Sequence, residues 1–348
     1  MSLPPSEIPQ GAIRFNTDSQ KLEFYAQGEW WNMVTDTPNL GTSSDTTAGA
    51  RGLFGGGGST KVDTIEYINI SSAGDAIDFG DLTSVKSGPF GCSSSTRGLF
   101  GGGYNPTRLN NIDYVTIAST GDAQDFGDLI YARQAHTSCS NSTRGLFAGG
   151  FNPQTTPAAT TYNAIDYVTI SSTGNAQDFG DLSQEVIAPS SVSSSTRGVF
   201  TVCPVIFTPA PSFLNIIEFV TIASLGNSQD FGDLIQGSQI SGNGTVFNSN
   251  RGIFSSNTSP NPLSYITISS LGNAINFGNL SVSRRDTPGV SSPTRGCFGG
   301  GAENFPSSVQ LNIIDYVTIQ TQSNAVDFGD LTVTRQSIGA VSNAHGGL

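Results

Sequence analysis

The chain is short of the residues from which most catalytic and metal centres are built. Its 348 residues hold two histidines, His136 and His345, and four cysteines, Cys92, Cys139, Cys203 and Cys297. No CxxC pair occurs, so a zinc site of ordinary spacing is not expected, and neither is any other metal or cofactor. Cys92 and Cys139 recur at one place in successive repeats, which reads as a small, reduced core residue. Charge is scarce as well: Asp, Glu, Lys and Arg make up 12% of the chain, against about 25% in an ordinary globular protein. The fifteen basic residues are scattered and the net charge is −12, which argues against a nucleic-acid partner. No apolar run approaches the roughly 20 residues of a membrane span. Met1-Ser2-Leu3-Pro4-Pro5 does not open a signal peptide. A soluble protein made in the cytoplasm is the expectation.

What is plentiful is glycine, at 42 residues, together with Ser, Thr and Asn. That composition belongs to an all-β chain with many turns. One segment, Arg-Gly-apolar-Phe, starts at Arg51, Arg97, Arg144, Arg197, Arg251 and Arg295, spaced 46, 47, 53, 54 and 44 residues apart. After each comes a variable loop, then an alternating strand such as Ile65-Glu66-Tyr67-Ile68-Asn69-Ile70 or Ile165 to Ile170. A turn with Gly74-Asp75 or Gly174-Asn175 follows, suited to positive φ, and then Asp78-Phe79-Gly80-Asp81-Leu82 or its counterpart. A Ser/Thr-rich stretch closes the unit, with Cys92, Cys139, Val192, Val246 or Val290 five residues ahead of the next arginine and Thr46 ahead of the first. We label the four predicted strands A (Ser/Thr-rich), B (Arg-Gly-apolar-Phe), C (alternating) and D (Asp-Phe-Gly-Asp-Leu). A period near fifty with four strands predicts a β-propeller spanning residues 1–348 as one domain.

The chain ends on Arg335-Gln336-Ser337 to Leu348, which aligns with Arg133 onward and puts Val341 in the Cys139 column. That makes a seventh strand A. Residues 1–36 supply candidates for the missing set: Gly11 to Phe15, Lys21 to Tyr25 and Glu29 to Met33. Seven four-stranded blades, closed by strands from both termini, are therefore expected. The alternative is six blades with residues 1–36 as a separate anchoring hairpin.

The order of Gly-apolar-Phe-Gly-Gly, alternating strand, aromatic near Asp-Leu, then Arg resembles the kelch repeat. Phe79, Phe126, Phe179, Phe231, Phe277 and Phe328 stand where kelch has Trp, and the glycines give way to Thr201-Val202-Cys203 and Ser255-Ser256-Asn257. This resemblance implies architecture and is silent on function. Residues 11–34, with Ala12-Ile13-Arg14-Phe15-Asn16-Thr17-Asp18, Lys21-Leu22-Glu23 and Trp30-Trp31, look like a segment recurrent in phage tail fibres and related virion proteins. Units such as Ile165 to Ile170 followed by Asn175 to Leu182 look like repeats in structural proteins of marine cyanophages. These resemblances cover nearly the whole chain and imply a virion component.

No constellation in the sequence reads as a catalytic centre. The strand-D acids Asp78/Asp81, Asp125/Asp128, Asp178/Asp181, Asp230/Asp233 and Asp327/Asp330 become Asn276/Asn279 in the fifth unit. We expect them to cap turns and partner the repeat arginines, with Ca²⁺ ligation as the alternative reading. Gly55 to Gly58 lacks the Lys-Ser/Thr of a phosphate loop. His136 and His345 read as structural.

Variation between units points to a binding face instead. Strand C to strand D is nine residues in every unit, whereas the B–C loop runs from 8 residues (255–262) to 17 (148–164). In a propeller the B–C and D–A loops share one face, so recognition is expected there. The candidate anchors are Tyr104, Arg108, Phe151, Tyr162, Val205, Ile206, Phe207 and Phe213. The sequence thus leads to a non-enzymatic virion surface protein, tail-fibre or tail-associated, contacting other virion proteins or a host receptor or glycan. The alternatives are a capsid decoration protein and a carbohydrate-binding or carbohydrate-cleaving propeller.

Overall fold

The computed structural model describes residues 8–16, 21–32, 50–155, 158–203, 205–206, 212–235, 244–256, 261–303 and 307–348. These residues form strands and turns and no helix. The chain divides into two compact units, Met1–Ala48 and Gly49–Leu348.

In the first unit Ile13–Asn16, Lys21–Ala26 and Glu29–Asn32 make a three-stranded antiparallel sheet. Gln27 and Gly28 turn between the last two strands with φ of 55° and 86°. Positive φ at both central residues matches the right-handed twist of a two-residue hairpin. Arg14 pairs with Glu23 at 2.8 Å and lies over the Trp30 ring at 4.1 Å.

The second unit holds six four-stranded antiparallel sheets, each in the order A-B-C-D. Sheet 1 is Gly339–Ser342, Arg51–Gly55, Val62–Asn69 and Ile77–Lys86. Sheet 2 is Phe90–Ser93, Arg97–Gly101, Asn111–Thr116 and Gln124–Asp128, and sheet 3 is Thr137–Ser140, Arg144–Ala148, Ala164–Thr169 and Gln177–Asp181. Sheet 4 is Ser191–Ser193, Arg197–Val202, Ile216–Thr221 and Gln229–Asp233. Sheet 5 is Thr245–Phe247, Arg251–Ser255, Pro262–Thr267 and Ile275–Asn279, and sheet 6 is Gly289–Ser291, Arg295–Gly299, Ile313–Thr318 and Val326–Asp330.

The strand from the C-terminal end therefore joins the first Arg-Gly strand, with Val341 opposite Leu53. The three N-terminal strands pair with one another, so the seventh set expected from both termini is not how the strands combine. Thr46, the other candidate for this strand A, lies outside the described residues. The physical reason is a notch. In every sheet a Cβ on the Arg-Gly glycine would strike a strand-A side chain of the preceding sheet: Gly52 meets Val290 at 2.4 Å, Gly145 meets Cys92 at 2.5 Å and Gly98 meets Val341 at 2.7 Å. The N-terminal candidate reads Arg14-Phe15 and has no glycine after its arginine.

Two further contacts recur from each sheet to the next, sheet 6 to sheet 1 included, and a third joins four of the six junctions. The repeat arginine donates to the carbonyl at the end of the next strand C, as in Arg51 to Ile117 at 3.0 Å and Arg295 to Ile70 at 3.5 Å. It also lies over the aromatic of its own strand C, as Arg97 does over Tyr114 at 4.8 Å. The Asx residue of the next C–D turn accepts from a strand-D amide: Asp128 N–H to Asn175 Oδ1 at 3.0 Å, Asp330 N–H to Asp75 Oδ1 at 3.1 Å.

The third contact is a buried ion pair. Lys86–Asp113 (2.8 Å), Arg133–Asp166 (2.9 Å), Arg284–Asp315 (3.1 Å) and Arg335–Glu66 (2.5 Å) join the D–A segment of one sheet to strand C of the next. Burial pushes Lys86, Arg133, Arg284 and Arg335 below their usual range and Asp166 above its own, the partner charge opposing the shift in each case. Desolvation is the larger influence in each case and the partner charge the smaller, opposing one. Between sheets 3 and 4 the cation gives way to Val186, and Glu218 is held by the hydroxyls of Ser183 and Ser228.

Apolar clusters fill the spaces between sheets. Leu99, Ile112, Phe126 and Leu129 of sheet 2 pack with Phe147, Val168 and Ile170 of sheet 3. Strand-D phenylalanines meet strand-C aromatics edge-on, Tyr114–Phe126 at 6.0 Å for example.

Candidate binding face

The strand-D acids do not partner the repeat arginines as expected, because those arginines are directed at carbonyls and aromatic faces. Asp125, Asp178 and Asp230 are exposed, and no group of three or more His, Cys, Asp or Glu suited to a metal occurs among the described residues.

Both histidines are buried. His136 packs between Phe90 and Phe147, with ring centroids 4.9 and 5.9 Å away. Pro89, Pro189 and Ile338 occupy its place under other sheets, each against a B-strand-end glycine. Burial, helped by Arg133, drives His136 well below the usual imidazole range. His345 reaches between the A strands. Its Nε2 lies 2.9 Å from the Ser93 carbonyl, while Gly347 N–H donates to Nδ1 at 3.1 Å. These contacts assign the Nε2–H tautomer. Burial pushes this imidazole down to about 4. Beside it a cavity of about 80 Å³ is lined by hydroxyls of Ser93, Thr137, Ser140, Ser291 and Ser342. The cysteine thiols are free; Cys92, Cys139 and Cys297 are buried and Cys203 is partly so.

The two sides of the sheets differ. On one side all six C–D turns are alike and dock on the preceding strand D, as Gly174 N–H does on the Phe126 carbonyl. On the other side the B–C and D–A loops meet, for example where Tyr104 and Ser87 exchange backbone hydrogen bonds and Gln134 does so with Phe151.

Here the structure brings some predicted anchors together and separates others. Tyr104 and Arg108 touch: the guanidinium stands 4.6 Å over the ring, and Lys61 stands 4.9 Å from it. Tyr162 stacks on the exposed Tyr131 at 4.8 Å, and Phe151 pairs with Thr161 in a short hairpin. Val205–Ile206 and Ser212–Phe213 form another short hairpin, and Phe207 lies outside the described residues.

At the centre of this side is a depression of about 300 Å³. Phe90, Tyr104, Ile187 and Ile338 supply its apolar wall, and Ser87, Gln134, Asp286 and Ser337 its polar one. Five D–A turns converge here through Gly88, Ala135, Ala188, Asp286 and Ser337, at φ of 66°, 51°, 57°, 56° and 54°. Four of the five carry a Cβ in a region that L-residues avoid, and such strain persists where surrounding structure enforces it. Enforcement is visible: Gly88 N–H donates to the Ser337 carbonyl at 2.7 Å and Ala188 N–H to the Ala135 carbonyl at 2.6 Å.

Phe90, Gln134, Ile187 and Asp286 escaped the sequence reading because they come from four separate segments, Phe90 at the start of a strand A and the others three or four residues before one, and their side chains share no chemistry. The buried ion pairs left a clearer signal: acidic residues in strand C recur at Glu66, Asp113, Asp166, Glu218 and Asp315, in positions that alternation assigns to the interior. No family model matches the chain, and no curated protein matches it.

Proposed function

We propose that the six four-stranded sheets form one closed six-bladed propeller, and that it is a non-enzymatic binding protein of a phage particle. The observation that carries the binding reading is the contrast between the two sides, one built from six equivalent turns and the other from divergent loops around a shaped depression. Closure is supported by the notch, arginine and Asx contacts, which recur from sheet 6 to sheet 1, and by Ser342 and Ser93, which join the first strands of sheets 1 and 2. The virion reading rests on the phage-like segment at residues 11–34 and the cyanophage-like repeats. Tail-fibre or tail-associated placement fits a rigid disc offering one variable side. Mass spectrometry and cryo-electron microscopy of purified particles test it. The expected result is the chain at fixed copy number with the loop side facing outward or toward another subunit; its absence from particles would overturn the reading.

A further inference from the structure

We infer that the depression at the loop side binds a neutral sugar ring, of the size of a hexose or a disaccharide unit; this names the ligand of the proposed binding face and rests on that reading. Size comes first. About 300 Å³ lies at the lower end of ligand pockets, which run from roughly 300 to 1,000 Å³. Charge comes second. Among the described residues Asp286 is the one carboxylate in the lining, and it is already paired with Arg285 at 2.6 Å. The described lining therefore offers no surplus charge to an anionic or cationic ligand.

The chemistry of the wall comes third. A pyranose presents C–H groups on its faces and hydroxyls round its edge. Phe90 and Tyr104 offer rings for the former. The Gln134 amide and the Ser87 and Ser337 hydroxyls can both donate and accept, as sugar hydroxyls do. Such a wall suits a neutral polyol better than a purely aliphatic side chain, which would leave those polar groups without partners.

Preorganisation comes last. The cross-bonded left-handed turns and the clamp of Lys61 and Arg108 on Tyr104 hold the wall in place before any ligand arrives. Little ordering is left to oppose binding.

The test uses the full chain, screened against an array of neutral and charged glycans and then titrated with neutral mono- and disaccharides by saturation-transfer NMR and calorimetry. Saturable binding of a neutral sugar is expected, weakened about tenfold or more by Tyr104→Ala and by Gln134→Leu, the latter through loss of a buried hydrogen bond. Thermal melts of both variants check that the fold is kept. Binding that survives both substitutions, binding confined to charged glycans, or no binding across the neutral panel would each overturn the inference. The virion reading fails separately, by absence of the chain from particles whatever its sugar affinity.

Discussion

At the scale of the residue, the buried charges set the most specific expectations. Arg133 and Asp166 are both fully inaccessible, and Arg133 also donates to the carbonyls of Phe147, Gly149 and Ala164. Removing one partner leaves an uncompensated charge. Asp166→Ala or Arg133→Ala should each cost about 3–5 kcal/mol in urea unfolding. The pair replaced together, Arg133→Met with Asp166→Leu, should lose much less. A double variant as unstable as the sum of the singles would show that the two charges are not coupled and would overturn this reading. The histidines predict a pH dependence. His345 is near 4 when folded, against about 6.5 when unfolded. Its folded value is depressed, so the unfolded chain takes up protons first as pH falls. Stability should therefore decline from about pH 6.5 towards 4, by up to about 3 kcal/mol. His136 acts in the same direction. His345→Gln should flatten part of that slope in melts recorded across this range; an unchanged slope would assign the effect to other groups.

At the scale of the element, the notch between sheets is the feature to test. A methyl group on Gly252 would lie 2.5 Å from the Val192 side chain of the preceding sheet. Gly252→Ala should destabilise by about 1–3 kcal/mol through overpacking. Adding Val192→Ala should restore a good part of that, a positive coupling read from a double-mutant cycle. The C–D turn makes a second case. Gly127 has φ of 141°, and a Cβ there would meet the Gly174 carbonyl at 2.5 Å. Most strands were legible because period and alternation are local properties: Asn111–Thr116, Ala164–Thr169 and Ile313–Thr318 declare themselves within one unit. The fit of Val192 to Gly252 is not local. Each residue looks ordinary in its own segment, and the contact exists only once two sheets face each other. The depression was illegible for the same reason. Its wall is assembled from five separate turns, and the two anchors nearest it, Tyr104 and Arg108, were found because their loop is visibly aromatic and basic.

At the scale of the whole molecule, strand A of sheet 1 decides how the ends are used. Arg51 N–H donates to the Asn343 side chain across 292 residues of chain. If six sheets form the ring, deleting residues 1–48 should leave the melting transition of the remainder nearly unchanged. Deleting residues 339–348 should broaden it and promote association through the uncovered Arg51–Gly55 edge. Calorimetry and sedimentation velocity distinguish the two deletions. Collapse of the fold on removing 1–48 alone would return the N-terminal strands to the ring and revive the seven-bladed arrangement.

The pairing of Gly339–Ser342 with Arg51–Gly55 also imposes an order on synthesis. The earliest of the six sheets to leave the ribosome is the last to be finished, since its inner strand is translated after every other repeat. Until then the nascent chain carries an unsatisfied row of amides and carbonyls beside Leu53 and Phe54. Partial translation products should consequently be the stickiest species this protein ever presents, and premature stop codons near residue 338 should be more harmful to the cell that makes it than stops far upstream.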